Sequence, residues 1–283
     1  MEFDAAEALQ ALYDAEPENH LDDTAGTRLF DPPIFAVADA ADPWFPRLKQ
    51  VIAPFHWTPD EALRIVAPNA TARRVIVWCL PISEAVRKPS YGETMFPSRS
   101  WAYARTKANP ILRRMTDGLV ARLNGSGFAA VAPTQLPKQP DDPREPGSII
   151  PRWSLRHVGF VAGLGTFGIS GGLITARGIA HRMSSVVTDA DVPVTPRPYG
   201  DDPFAWCLRS SRGTCGACIE RCPVGSVGKT NFERNIPACF NHRETIRAKA
   251  PELYNWTSEH LGCGLCQTNV PCESKNPTAK KKP

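Results

Sequence analysis

Eight of the nine cysteines of this 283-residue chain lie between Cys207 and Cys272, in CLRSSRGTCGACIERCP, at Cys239 and in CGLCQTNVPCE. Thiols crowded at C-x2-C spacing hold metal or do redox chemistry in a cytosolic protein, where disulfides are rare. Paired C-x2-C motifs suit zinc, which takes four ligands from two close pairs. Cys215, Cys218 and Cys222, however, form C-x2-C-x3-C-P, whose tight turns can wrap a cubane iron–sulfur cluster. The ninth cysteine, Cys79, stands apart in the apolar run VIVWCLPI and reads as a small core residue.

The C-x2-C-x3-C-P segment is the end of the bacterial ferredoxin run C-x2-C-x2-C-x3-C-P. The first cysteine of that run would fall at Arg212, so Cys207 must supply the ligand across a seven-residue gap. In two-cluster ferredoxins the cysteine before proline ligates the other cluster. That rule sorts the eight into Cys207, Cys215, Cys218 and Cys272 for one 4Fe–4S cluster, and Cys222, Cys239, Cys263 and Cys266 for a second. One cubane with zinc or a lost cluster, or zinc alone, are the alternatives.

The elements that must position these groups are legible in outline. MEFDAAEALQALYDAE is patterned as a helix, followed by a Pro- and Asp-rich connection through DPPIF and ADPWFP. ARRVIVWCLPI reads as a central strand. NPILRRMTDGLVARLNGSG reads as a helix capped by Asn109, with Pro110 at its first position and Ile111, Met115, Leu119 and Leu123 on one face. FAAVAP reads as a strand, LPKQPDDPREPGS as a polar loop, and SLRHVGFVAGLG as a short helix breaking into a glycine-rich turn. GGLITARGIAHRMSSVVTD reads as two strands around Arg177-Gly178. The fold class expected is α/β, with a helical extension over 1–46, a cofactor domain over 47–200 and a two-cluster domain with a basic tail over 201–283.

Gly163-Leu164-Gly165-Thr166-Phe167-Gly168 loosely fits G-x-G-x-x-G, but it follows a helix and precedes a strand. A dinucleotide site needs the reverse order. A tight structural turn is the bland alternative for these glycines.

Arg156, Ala162-Gly163-Leu164-Gly165, Gly168, Leu173-Ile174-Thr175 and Val187-Thr188-Asp189, followed by the cysteines, resemble the epoxyqueuosine reductases and the corrinoid-dependent reductive dehalogenases over roughly residues 70–272. The resemblance implies a nitroreductase-like domain that binds cobalamin with its own lower base detached, and a C-terminal ferredoxin-like domain that feeds it electrons. It places cofactor contacts at Arg156, Gly163, Leu164, Gly165, Thr166 and Gly168, since backbone without side chains can approach a flat ring closely. Flavin is the alternative cofactor on such a scaffold.

Epoxyqueuosine reductases carry a proton-donating carboxylate a few residues before the counterpart of Arg156. Here that position falls near Ile149 and Ile150, and the nearest carboxylates are Asp141, Asp142 and Glu145. His157 and Tyr103 are candidate catalytic proton donors by chemistry alone.

These readings favour a cobalamin-dependent iron–sulfur reductase acting on a small organic substrate and fed by a low-potential donor of ferredoxin or flavodoxin type. An electron-transfer protein serving a partner corrinoid protein is the alternative, and a plain dicluster ferredoxin the third. The net charge of +4 is weak and does not by itself argue for nucleic acid, and no nucleic-acid partner is expected. No stretch approaches a membrane span and no export signal is visible, so a cytoplasmic location is expected.

Overall fold

The computed structural model describes residues 3–21, 26–140, 142–145, 148–231 and 233–279. Asp141 and the C-terminal lysines lie outside the described residues.

Helix α1 (Ala5–Asp14) starts at Asp4, whose carboxylate accepts from the Glu7 amide. Strand β1 (Ile34–Asp39), helices α2 (Trp44–Val51) and α3 (Pro59–Arg64), strand β2 (Arg74–Pro81) and helix α4 (Glu84–Arg87) follow. The long helix α5 (Arg99–Gly125) leads to β3 (Ala130–Val131), α6 (Leu155–Val161), β4 (Gly165–Phe167), β5 (Leu173–Thr175) and β6 (His181–Thr188). The cysteine-rich end contributes α7 (Leu208–Arg212), α8 (Ala217–Glu220) and α9 (Ile236–Tyr254).

The main sheet has the order β1-β2-β6-β3, every pair antiparallel. As expected, β2 is central and buried along nearly its whole length. Its period-two alternation splits the core. Val75, Val77 and Cys79 pack with Phe45, Leu48, Trp153 and Phe160. Ile76 and Trp78 pack with Leu9, Leu119 and Leu123 on the opposite face. Leu80 joins Trp101, Ile111 and Met115 of α5. Each such large side chain, fully buried, contributes about 1.5–3 kcal/mol. Residues 34–39, read from sequence as part of a connection, supply an edge strand because their alternate apolar residues extend both core faces.

Two further readings are corrected. Helix α5 begins at Ser98, whose hydroxyl caps the Trp101 amide, and carries Pro110 in its interior. Trp101, Ala104, Ala108, Ile111, Leu112 and Met115 form one continuous buried stripe. Burial of that stripe outweighs the roughly 3 kcal/mol that an interior proline costs. Asn109 is then no cap; its amide bonds Arg182 at 3.0 Å and His260 at 3.2 Å.

The strands on either side of Arg177-Gly178 exist but enter different sheets. β5 pairs with β4, and β6 with β2 and β3. Ile179 and Ala180 instead donate to the carbonyls of Cys272 and Glu273 at 2.8 and 3.0 Å. A β-carbon at Gly178, whose φ is +83°, would lie 2.3 Å from the Glu273 carbonyl oxygen. The last cysteine is thereby stitched to the start of β6.

The same strap is anchored by a buried ion pair. Arg87 Nη1 lies 2.7 Å from Glu273 Oε2, and the Tyr91 hydroxyl donates to that oxygen at 2.5 Å. Arg221, beside Cys222, donates to the Ser90, Tyr91 and Glu93 carbonyls at 2.8, 3.2 and 2.9 Å. Among the described residues no helix is long and apolar enough to cross a membrane.

Candidate functional site

The eight clustered cysteines line two separate cavities. Cys222, Cys239, Cys263 and Cys266 share a cavity of about 470 Å³. Cys207, Cys215, Cys218 and Cys272 share a much smaller one behind it, closed by Ile169, Ile174 and Val270. Helix geometry places several of these thiols. Cys207 stands at the N-cap of α7, Cys218 lies in α8, and Cys239 sits in the first turn of α9, which Asn235 caps. The turn after α8 sends Cys222 away from Cys218 and into the other group, where the Ser226 amide donates to its sulfur at 3.1 Å. Cys218 and Cys266 stand close enough for one thiol to raise the other.

All nine cysteines are free. Burial pushes the thiols of Cys218 and Cys263 up to about 12 and that of Cys266 up to about 11. Neighbouring cysteines add to each rise. Four partly buried thiols facing one another ionise together only when a cation compensates them, so each donor set fits a metal cluster. Among the described residues, no three His, Cys, Asp or Glu side chains are close enough to hold a single ion. Cys79 lines neither cavity; it is fully buried against the Thr175 side chain and burial pushes its thiol far up.

The α/β body forms the wall facing the cysteines of the larger cavity. Trp153 to Arg156 enter from the start of α6, Ser170 to Leu173 from the turn before β5, and Ile179, His181, Arg182 and Met183 from the start of β6. Antiparallel register puts His181 opposite Pro81 and Met183 opposite Cys79, which brings the start of β6 to the cavity. Arg156 is on this wall. Its guanidinium donates to the Gly171 carbonyl.

Several expected site residues are elsewhere. Gly163, Leu164, Gly165 and Thr166 do not line the large cavity, and Gly168 lines the small one. The glycines serve chain-to-chain packing. A β-carbon at Gly165 would lie 2.1 Å from the Ile174 carbonyl oxygen across the β4–β5 pair, and the Gly163 position abuts the Pro196 carbonyl. Leu164 and Thr166 are buried, and the Thr166 hydroxyl accepts from the Trp206 amide. The turn that does reach the cavity is the next one, Gly171-Gly172.

The two candidate proton donors also point away. His157 shares a 2.7 Å hydrogen bond with Ser154 Oγ and packs 4.8 Å from the Phe167 ring. Tyr103 packs edge-on against Trp256, with the Lys107 ammonium 5.6 Å from its ring. Neither lines the cavity. No carboxylate does among the described residues; Asp142 pairs with Arg144 and Glu145 is exposed.

Sequence reasoning missed Trp101, Arg105, His181, Arg182, Arg234, His242 and Arg243, all on the cavity wall. Arg243 follows Cys239 by four residues on α9, a helical spacing that could have marked it. Arg182 and Arg234 carry no comparable local signal.

Burial pushes His56, His157 and His181 each down to about 4 from an ordinary value of 6.5. The unfolded chain therefore binds protons that the folded chain does not. Their contribution to stability is complete above pH 6.5 and is lost as the pH falls toward 4. The urea midpoint is expected to fall across that window. His56→Gln, which can still accept from the Ser154 amide, should make the fall shallower. A pH-independent midpoint would show that these imidazoles are not held neutral.

No protein-family model and no curated protein matches the chain in sequence. Among solved structures, a tagged variant of a catabolic reductive dehalogenase covers 87% of this chain and 30% of its own, at 14% identity and a TM-score of 0.50. Epoxyqueuosine reductase from Bacillus subtilis covers 86% of this chain at 17% identity and a TM-score of 0.46. The enzyme of that name from Streptococcus thermophilus covers 88% at 15% identity and a TM-score of 0.44. The chain spans 62% and 64% of the lengths of these two reductases. The likeness to the dehalogenase is one of fold, and it agrees with the expected α/β architecture.

Proposed function

We propose that the chain is an iron–sulfur reductase in which two 4Fe–4S clusters serve a corrinoid held in the large cavity, for reduction of a small organic substrate. The observation that carries this reading is the shared wall: one cysteine quartet opens directly into a cavity whose other side is built by the α/β body. Cys222, Cys239, Cys263 and Cys266 would hold the cluster at the cavity. Cys207, Cys215, Cys218 and Cys272 would hold the second, and the two groups adjoin at Cys218 and Cys266. A corrinoid supplies low-potential reductive chemistry at cobalt, while the protein binds, orients and shields it.

The chain's own residues have distinct tasks in this reading. Gly171 and Gly172 let backbone approach the occupant, while Trp153, Ile179 and Met183 give it apolar walls. The Ser226 amide stabilises the Cys222 thiolate by a hydrogen bond. His181, neutral in its buried site, shares a 2.8 Å hydrogen bond with the Leu173 carbonyl through Nε2. That bond leaves Nδ1 as its second ring nitrogen, and Nδ1 has no partner among the described residues. A low-potential ferredoxin or flavodoxin is the kind of donor such clusters require.

The test is anaerobic reconstitution with iron and sulfide, addition of cob(II)alamin, and electron paramagnetic resonance. A base-off cobalt signal beside two dithionite-reducible clusters is expected. An unchanged base-on signal would overturn cobalamin capture. Flavin binding would then move the assignment to a flavin-dependent reductase. Reduction of an added corrinoid protein would instead move it to an electron-transfer protein.

A further inference from the structure

Five arginines line the large cavity: Arg105, Arg156, Arg182, Arg234 and Arg243. They come from α5, α6, β6, the loop before α9, and α9. Among the described residues none of the five is in an ion pair with a carboxylate, and no carboxylate lines the cavity. Elsewhere arginines are paired, as in Arg74 with Asp191, Arg114 with Glu16, Arg177 with Asp31 and Arg197 with Asp42.

The unpaired guanidiniums are also pressed together. A β-carbon position at Gly262 lies 3.3 Å from Arg105 Nη2 and 3.7 Å from Arg243 Nε. Arg182 lies nearby and is half-buried; desolvation, then the charge of Arg243, pushes its pKa down to about 10. Its Nη2 donates to Asn109, but the Nε atoms of Arg182 and Arg243 are buried without a hydrogen-bond partner. Like charges in a partly desolvated site repel, and buried donors without acceptors are costly. A single oxyanion between them relieves both, and the guanidinium fork matches carboxylate and phosphate oxygens.

We infer that Arg105, Arg182 and Arg243 form an oxyanion site, seating a carboxylate or phosphate group of the molecule that enters the large cavity. The inference rests on the reading of that cavity as a ligand site. The oxyanion comes either from a free substrate or from the phosphodiester of a corrinoid's nucleotide tail. The competing account is that these arginines only neutralise the anionic cluster at Cys222, Cys239, Cys263 and Cys266. Arg234, which lowers the Cys266 thiol, is placed for that task. Arg234 and Arg156 form a separate pair beside Gly171, whose β-carbon position is 2.8 Å from one and 3.6 Å from the other.

The experiment is calorimetric titration of cluster-loaded, corrinoid-free protein in low-chloride buffer with inorganic pyrophosphate, and separately with malonate. Saturable binding of at least one of the two is expected. It should weaken at least about tenfold in Arg182→Gln/Arg243→Gln and in Arg105→Gln. The exposed control Arg122→Gln should leave it unchanged. Binding that disappears once the cluster is loaded would overturn the inference in favour of charge neutralisation. Absence of saturation in the loaded wild type, or equal affinity in the variants, would overturn it outright.

Competition identifies the source. Displacement of pyrophosphate by cobalamin but not by cobinamide, which lacks the phosphodiester, assigns the site to the cofactor tail. Pyrophosphate that binds alongside either corrinoid assigns it to the substrate. Pyrophosphate binding with no corrinoid binding at all would sustain the oxyanion site while removing the corrinoid reading.

Discussion

Replacing Cys272 by alanine is expected to remove one cluster and about half of the iron, and adding Cys215→Ala and Cys218→Ala to remove no more. These thiols line the same small cavity, so they stand or fall as one ligand set. A cubane needs its full set of thiolates. Cys222→Ala alone should remove the other half, although Cys222 is only four residues from Cys218 in the chain. Its sulfur belongs to the large cavity, with Cys239, Cys263 and Cys266. The combination Cys222→Ala/Cys272→Ala should then abolish both clusters. Iron analysis with electron paramagnetic resonance of the reduced protein reads the result. In doubly loaded wild type the neighbouring clusters should couple magnetically, and each single-cluster variant should lose that coupling. If Cys218→Ala and Cys222→Ala delete the same signal, the partition is wrong and the C-x2-C-x3-C segment wraps one cluster.

Arg87→Met is expected to destabilise the folded chain by roughly 3–5 kcal/mol, the cost of stranding a buried charge. Arg87 and Glu273 are 8% and 6% exposed, so water cannot replace the lost partner. Glu273 would keep the Tyr91 hydroxyl and the Asn269 amide as donors, which satisfy oxygens without balancing the charge. Replacing both members, Arg87→Met with Glu273→Leu, should recover a large part of the loss, since two apolar groups leave no charge behind. The urea midpoint followed by tryptophan fluorescence measures this.

A second consequence separates this pair from an ordinary stabilising contact. Glu273 follows Cys272 directly, so loosening the strap should release the cluster at Cys207, Cys215, Cys218 and Cys272 before the other. Visible absorbance should decay in two steps in Arg87→Met under mild urea, with the faster step matching the signal lost in Cys272→Ala. Decay in a single step would show that the strap does not govern that cluster.

The grouping of the cysteines was legible because it follows from residue type and short spacing. C-x2-C-x3-C-P carries its turn geometry with it, and the structure gathers the eight thiols into the same two groups that the cysteine-before-proline rule suggests. Central strand β2 and short helix α6 were legible for a similar reason, as runs of one periodicity bounded by breakers. The glycine-rich segment at Gly163, Leu164, Gly165 and Thr166 lies off the large cavity. A glycine marks close approach, but its type does not say whether a ligand or another strand approaches. Here Ile174 and Pro196 of the chain itself fill that space. Pro110 misled, since a local preference for a helix start gave way to the buried stripe from Trp101 to Met115.

By itself, the sequence determined where the thiols crowd along the chain, the period of each regular element and the α/β class. Those properties are set within a few residues, by donor chemistry and by the alternation of apolar side chains. Tertiary structure alone decided which residues surround the cavity and what holds the strap. The five arginines converge from five separate segments, and Arg87 meets Glu273 across 186 residues. Contacts at such separation arise from how burial brings the helices and sheet together, and no local spacing encodes them.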